Sequence, residues 1–177
     1  MDTQWRYALP SYLRLHPDVN PRSARRFRME LSPRVLGPAA LPAALPHPLA
    51  LLDHVFPAPD QPLEDIRWGV EAADAWSVAF RHPGGAAGVA CDVVLRACAS
   101  QPRPAAFGFD GAMARRMILE PGYRLALTSD DGRTWRETTT PVLTLDQEWE
   151  ADRLFYPTVV RQGDARSRLG LRLLLGG

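Results

Sequence analysis

The sequence predicts an α+β fold: an open, largely antiparallel β-sheet with two or three helices packed on one face. Three observations predict it. Between Asp74 and Met113, the residues Trp76, Val78 and Phe80 alternate with smaller or polar neighbours, the period of a half-buried strand. Pro83-Gly84-Gly85 and Asp110-Gly111 punctuate that stretch with residues suited to chain reversal, and Asp130-Asp131-Gly132 does so again later. His47 to Phe56 sets Leu49, Leu52, Val55 and Phe56 at helical spacing, with Pro48 in its first turn and Pro57 just past its end. Three or four consecutive antiparallel strands need one face covered, and the helical segments supply the cover.

Taken in order, residues 4 to 9 have the look of a short strand. Pro10 then opens a short helix from Ser11 to Leu15 that stops before Pro17. Arg26 to Leu31 alternates charge with Phe27, Met29 and Leu31 and reads as a strand. Residues 33 to 46, rich in Pro, Ala and Leu, read as a loop with at most one helical turn. After the helix from His47, Leu63 to Glu71 is the next strand, leading into the central meander. Tyr123 to Ser129 and Arg133 to Glu137 flank Asp130-Asp131-Gly132 as a hairpin. Residues 146 to 156 and Ser167 to Leu175 are expected to be further helices.

The chain has 177 residues, enough for one domain, 1–177, with a real core. Hydrophobic residues make up 46% and charged residues 23%, ordinary for a soluble globular protein. The net charge of +1 gives no global field for nucleic acid or an anionic membrane. Every basic residue is Arg, so a lysine Schiff base, acid or base is excluded. Cys91 and Cys98, seven apart, fall on opposite faces if they share a strand, and read as small buried hydrophobes. No N-terminal targeting pattern and no run of 18 apolar residues is present, so a cytoplasmic protein is expected.

The segment His47-Pro-Leu-Ala-Leu-Leu-Asp-His-Val-Phe-Pro-Ala-Pro59 resembles the helix opening H-x-I-D-L-x-x-W-L-x-G-x-P of the glucose–fructose oxidoreductase/inositol dehydrogenase (Gfo/Idh/MocA) family. Asp74 to Phe80, Pro83-Gly84-Gly85-Ala86 and Phe107-Gly-Phe-Asp-Gly111 are similar to that family's central hairpin and following strand. Arg6-Tyr7 before Pro10 resembles its R-(F/Y)-x-P entry, and Arg161-Gln-Gly163 its closing segment. The resemblance spans nearly the whole chain and implies the family's C-terminal, sheet-bearing substrate domain. The family's Rossmann half is missing: no G-x-G-x-x-G follows a strand, and the lysine of the E-K-P motif has no counterpart. In the family's D-x-G-x-H segment the histidine matches His47, whereas the Asp and Gly positions are Ala43 and Leu45, and a later family Asp matches Ala50. No NAD(P) or other cofactor is therefore expected.

His47, as an imidazole at a helix start, is the first candidate acid or base, with a capping or buried structural role as the competing reading. Asp53 and His54 follow it as catalytic candidates. Successive helical residues diverge by about 100°, so they form no ready-made dyad, and Asp53 is expected to carry its charge into solvent. Trp5, Arg6, Tyr7 and Trp68 are candidates to bind a flat substrate, Tyr12 being a further aromatic of the same stretch. Asp92 and Arg96, on one parity of a strand with Val94 and Cys98, form a candidate charged pair in a pocket or at a rim. Arg25, Arg26, Arg28 and Arg34 read as a solvated strand face. No His, Cys, Asp and Glu set has metal-ligand spacing. Two functional classes stay open. One is a small-molecule biosynthetic enzyme reusing a substrate cavity for cyclisation, isomerisation or elimination; the other is a non-catalytic partner of a separately encoded NAD(P)-dependent dehydrogenase. Trp76, Val78 and Phe80 on one parity, with Val89, Val93, Leu95 and Ala97 on another, imply apolar residues on both faces and hence a homodimer through the sheet.

Overall fold

A computed structural model describes residues 4–37, 40, 44–58, 61–100, 103–119 and 124–136. The expected helices at 146–156 and 167–175 lie outside the described residues, as does most of the 33–46 loop beyond Gly37. Helix α1 spans Gln4–Leu15, strand β1 Arg26–Leu31 and helix α2 Pro46–Val55. Strands β2 (Glu64–Ala72), β3 (Ala75–His82), β4 (Val89–Arg96), β5 (Ala105–Phe109), β6 (Ala112–Leu119), β7 (Arg124–Ser129) and β8 (Thr134–Arg136) follow. They form one eight-stranded sheet of order β2-β3-β4-β1-β5-β6-β7-β8, antiparallel except where β1 runs parallel to β4. The open, mostly antiparallel sheet and its helix-covered face are as the sequence predicts. No helix among the described residues is long and apolar enough to cross a membrane.

The meander from Asp74 to Met113 is two hairpins and not one continuous run. Strands β3 and β4 pair, β5 and β6 pair, and β1 enters between the two hairpins. The connection from Ala97 to Pro104 carries two prolines, which withhold the N–H groups that a tight β4–β5 reversal needs. The edges of β4 and β5 are thereby left for β1. Its inward residues Phe27, Met29 and Leu31 are buried. The Asp110-Gly111 turn is as expected: both residues have positive φ, 49° and 90°, as a two-residue type I′ reversal demands.

Two side chains tie neighbouring elements to that turn: Asp110 holds β1, and Tyr12 holds α1. One carboxylate oxygen of Asp110 accepts from the backbone N–H groups of Arg25 at 3.0 Å and Arg26 at 2.9 Å, and Asp110 N–H donates to the Arg26 carbonyl at 3.0 Å. From α1, the Tyr12 hydroxyl donates to the Ala112 carbonyl at 2.8 Å and accepts from Phe109 N–H at 3.1 Å. It is a wedge in the closing pair of the β5–β6 hairpin. His16, at the end of α1, contacts the Met113 carbonyl at 3.1 Å, and its ring lies 4.9 Å from that of Tyr12.

The first segment corrects an expectation. Residues 4 to 9 are the start of α1 and not a strand, and Pro10 lies inside the helix and not at its first position. The two-residue alternation of Trp5 and Tyr7 is short. Trp5, Ala8, Tyr12 and Leu15 recur with the helical period instead, and all four are buried. Pro10 sits on the exposed side, so the helical hydrogen bond it removes is lost toward water.

Register also corrects the reading of apolar parity. Trp76 pairs with Leu95, Val78 with Val93 and Phe80 with Cys91, so both sets share the helix-covered face. Burying one Leu or Phe there contributes roughly 1.5–3 kcal/mol. The other face carries Ser77, Ala79, Asp92, Arg28, Glu30 and Arg115, with Val94, Met113 and Met117 as apolar residues on the same parity. A chain of alternating charges crosses it: Asp92–Arg28 at 2.8 Å, Arg28–Glu30 at 3.1 Å, Glu30–Arg115 at 3.4 Å and Arg115–Asp130 at 3.2 Å. Arg28 is thus engaged in ion pairs, and the N–H groups of Arg25 and Arg26 are engaged by Asp110. Exposed pairs of this kind are worth about 0–1 kcal/mol each, so the chain sets the chemistry of the face more than its stability.

Burial pushes the Tyr12 phenol up to about 12, although the Phe109 N–H opposes the rise. The folded state therefore favours the phenol, whose ordinary pKa is about 10. Stability should hold below pH ~10 and fall as the pH climbs toward about 12, the Cys91 thiol, also pushed up to about 12, contributing to the same fall. Tyr12→Phe should cost about 1–3 kcal/mol in urea unfolding at pH 7 and flatten the alkaline fall. An unchanged midpoint and an unchanged alkaline limb would show that the wedge is dispensable.

Candidate functional site

The face between α1, α2 and the β5–β6 hairpin gathers the polar groups that a core does not need. Trp5, 3% exposed, stands on α1 and packs edge-on against Phe107 of β5, with ring centroids 5.6 Å apart. His47, half-buried in the first turn of α2, presents its ring at 83° to the same indole, 6.4 Å away. The guanidinium of Arg116 on β6 lies over that indole at 5.1 Å from its centroid. One aromatic ring thus carries an imidazole on one side and a permanent cation on its face. A stacked guanidinium of this sort gains about 0.5–2 kcal/mol and is held in a fixed orientation.

Asp53 has a different setting from the one expected. Its carboxylate is only 22% exposed, and Oδ1 lies 3.0 Å from Nε2 of His82, which is fully buried at the end of β3. The Gly84 N–H donates to Nδ1 of the same ring at 3.1 Å. With Nδ1 an acceptor, the proton sits on Nε2 and is donated to Asp53. Gly84 is required for its size: a Cβ there would lie 2.5 Å from the Phe56 carbonyl oxygen and 2.6 Å from the Phe56 Cβ. The loop after β3 therefore rests on the end of α2, and His82 joins the two. His54, one residue on, is exposed.

The other sequence candidates are dispersed. Trp68 lies half-buried on β2, with its Nε1 sealed from solvent and meeting no acceptor among the described residues. Asp92 is on the opposite face of the sheet, bound to Arg28; burial raises its pKa while Arg28 opposes the rise. Arg96 is exposed at the end of β4, on the parity of Asp92. Arg6 and Tyr7 belong to α1, and the structure describes their backbone and not their side chains. Cys91 is buried and its thiol is pushed up to about 12 by burial; Cys98 lies beyond β4, and both are free. No group of three or more potential metal ligands occurs among the described residues.

Two residues central to these arrangements, Arg116 and His82, were not singled out from the sequence. Both carried a signal. Arg116 continues the inward parity of Ala112 and Ala114, and His82 ends the inward row Trp76, Val78, Phe80. A polar residue on an apolar parity is a buried polar group that needs a partner.

No family model matches the sequence, and no curated protein matches it. Among solved structures, the chain is similar to the crystal structure of a Gfo/Idh/MocA family oxidoreductase from Vibrio cholerae, at 11% identity and a TM-score of 0.46. The match covers 89% of this chain and 55% of that one, so the chain spans little more than half of that structure's length.

The His82 geometry predicts a graded response. His82→Leu leaves the Asp53 carboxylate and the Gly84 N–H without their imidazole and should cost about 2–5 kcal/mol by chemical denaturation. His82→Gln, which keeps a donor toward Asp53, should cost less than half as much. Equal stability of wild type and His82→Leu would mean that the contact does not form in solution.

Proposed function

We propose that the chain is a cofactor-independent enzyme of small-molecule biosynthesis, performing a cyclisation, isomerisation or elimination in which His47 moves a proton. The observation that carries this reading is the cluster of His47, Arg116 and Trp5 on the helix-covered face. An imidazole can accept and return a proton near neutral pH, and a guanidinium alongside can hold negative charge that develops on a substrate oxygen. The indole supplies a flat apolar wall. With no lysine in the chain, histidine is the natural residue for the step. The family resemblance of the His47 segment supports the same residue. The reaction needs a C–H bond made acidic by a neighbouring carbonyl, the proton passing from carbon to His47 and back to a different atom.

That chemistry can be tested before the product is known. Proton-transferring enzymes exchange substrate C–H hydrogens with solvent, so a panel of small keto and hydroxy acids in D2O should include one that gains deuterium in the presence of the protein. His47→Ala should slow that exchange by about 10²–10⁴-fold and shift the melting temperature by less than about 1 °C, little against the roughly 2–4 °C per kcal/mol of a domain of this length. An active His47→Ala variant, or one that fails to fold, assigns His47 to structure. Exchange by no compound, with saturable binding of a separately encoded dehydrogenase, would favour the non-catalytic partner role.

A further inference from the structure

We propose that Arg103 is the anchor for an oxyanion, so that the small molecule taken by this face is an acid, either a carboxylate or a phosphate; the proposal rests on the proposed function only for calling that molecule a substrate. Arg103 stands two residues before Ala105, and Ala105 pairs with Leu31 on one side and Arg116 on the other. Pro104 is exposed and Ala105 is buried, so Arg103 falls on the parity of Ala105 and Phe107, the helix-covered face. Continuing the β5–β6 register places it diagonal to Arg116, a separation of roughly 7–8 Å between backbones. Both arginines thus belong to the end of the sheet that lies beneath Trp5.

Arg103 is half-buried, and its Nε is sealed from solvent with no acceptor among the described residues. Arg116 hides its Nε as well, but its guanidinium is taken up over the Trp5 ring; Ser11, Trp68 and Trp135 also hide a donor, and theirs are neutral. A guanidinium keeps its charge at any physiological pH, so it cannot escape the cost of desolvation by losing a proton. Such a donor is usually answered by a carboxylate. Among the described residues, Glu30, Asp92 and Asp130 are spent on Arg28 and Arg115 on the opposite face, and Asp53 is bound by His82. Nor can the start of α2 serve as the anion site, because Pro46 and Pro48 contribute no N–H. The planar fork of Arg103 is suited to two oxygens of one carboxylate or phosphate, with Arg116 adding charge from the neighbouring strand.

The test titrates the full chain with inorganic phosphate and, separately, with malonate, following melting temperature and heat of binding. The expected result is saturable stabilisation by one of the two, weakened tenfold or more in Arg103→Gln and less in Arg103→Lys. Phosphate alone would identify a phosphorylated substrate, and malonate alone a carboxylic acid. Arg28→Gln, on the open face, should bind like wild type. His47→Ala should also keep the anion, so loss of proton transfer and loss of anion binding are read separately. Without anion, Arg103→Gln should melt no lower than wild type, since it removes a sealed, unanswered charge. Equal binding by wild type and Arg103→Gln, no saturable binding by either anion, or a large fall in the melting temperature of Arg103→Gln would overturn the proposal.

Discussion

The carboxylate of Asp110 joins the two halves of the sheet. It sits in a reversal whose φ angles favour Asp and Gly, and from there it receives the first two N–H groups at the start of β1. Without β1, the β3–β4 and β5–β6 hairpins would face each other with unpaired edges and a proline-bearing connection too irregular to join them. With β1 in place, Met29 aligns with Val93 on one side and Phe107 on the other, and one continuous apolar face results. Tyr12 adds the second tie, carrying α1 onto the same hairpin. The position of Trp5 over Phe107 and Arg116 follows from these two contacts, since α1 is a rigid rod between Trp5 and Tyr12.

The two faces of the sheet divide the chemistry. Charges that balance one another are spread across the open face, where water screens them and each pair contributes little. The helix-covered face holds few polar groups, each at higher stakes because the surroundings are apolar. One such group, His82, is satisfied on both ring nitrogens by Asp53 and Gly84. At the other end of α2, an imidazole and a guanidinium share one indole. His47 and Asp53 are six residues apart, about 9 Å along the helix axis, so they serve separate places.

Much of the fold was legible. Strands β1 and β3 and helix α2 announce themselves by period, and the turns at Asp110-Gly111 and Asp130-Asp131-Gly132 by composition. The order of strands was not legible, because pairing β1 with β4 and β5 is a long-range event that alternation within β1 does not encode. Helix α1 was hidden by Pro10, which imitates a helix start, and by Trp5 and Tyr7, whose spacing of two fits a strand as well as a chance coincidence. Of the site, His47 and Trp5 were named and do meet. The role of Asp53 depended on a histidine 29 residues away that only the β3 register brings beneath α2. Asp92 and Arg96 were rightly placed on one parity, but whether that parity faces helices or solvent is decided by the whole sheet.

The central claim is that β1, pinned by Asp110, is the strand on which both hairpins close. Native-state hydrogen exchange of the backbone amides tests it most directly. The amides of Met29 and its neighbours in β1 should fall in the slowest class, exchanging only with global unfolding, together with those of Val93 and Phe107. Edge-strand amides of β2 should exchange faster. If the β1 amides exchange sooner than those within the β3–β4 and β5–β6 hairpins, the hairpins hold without β1, and the account of the fold is contradicted.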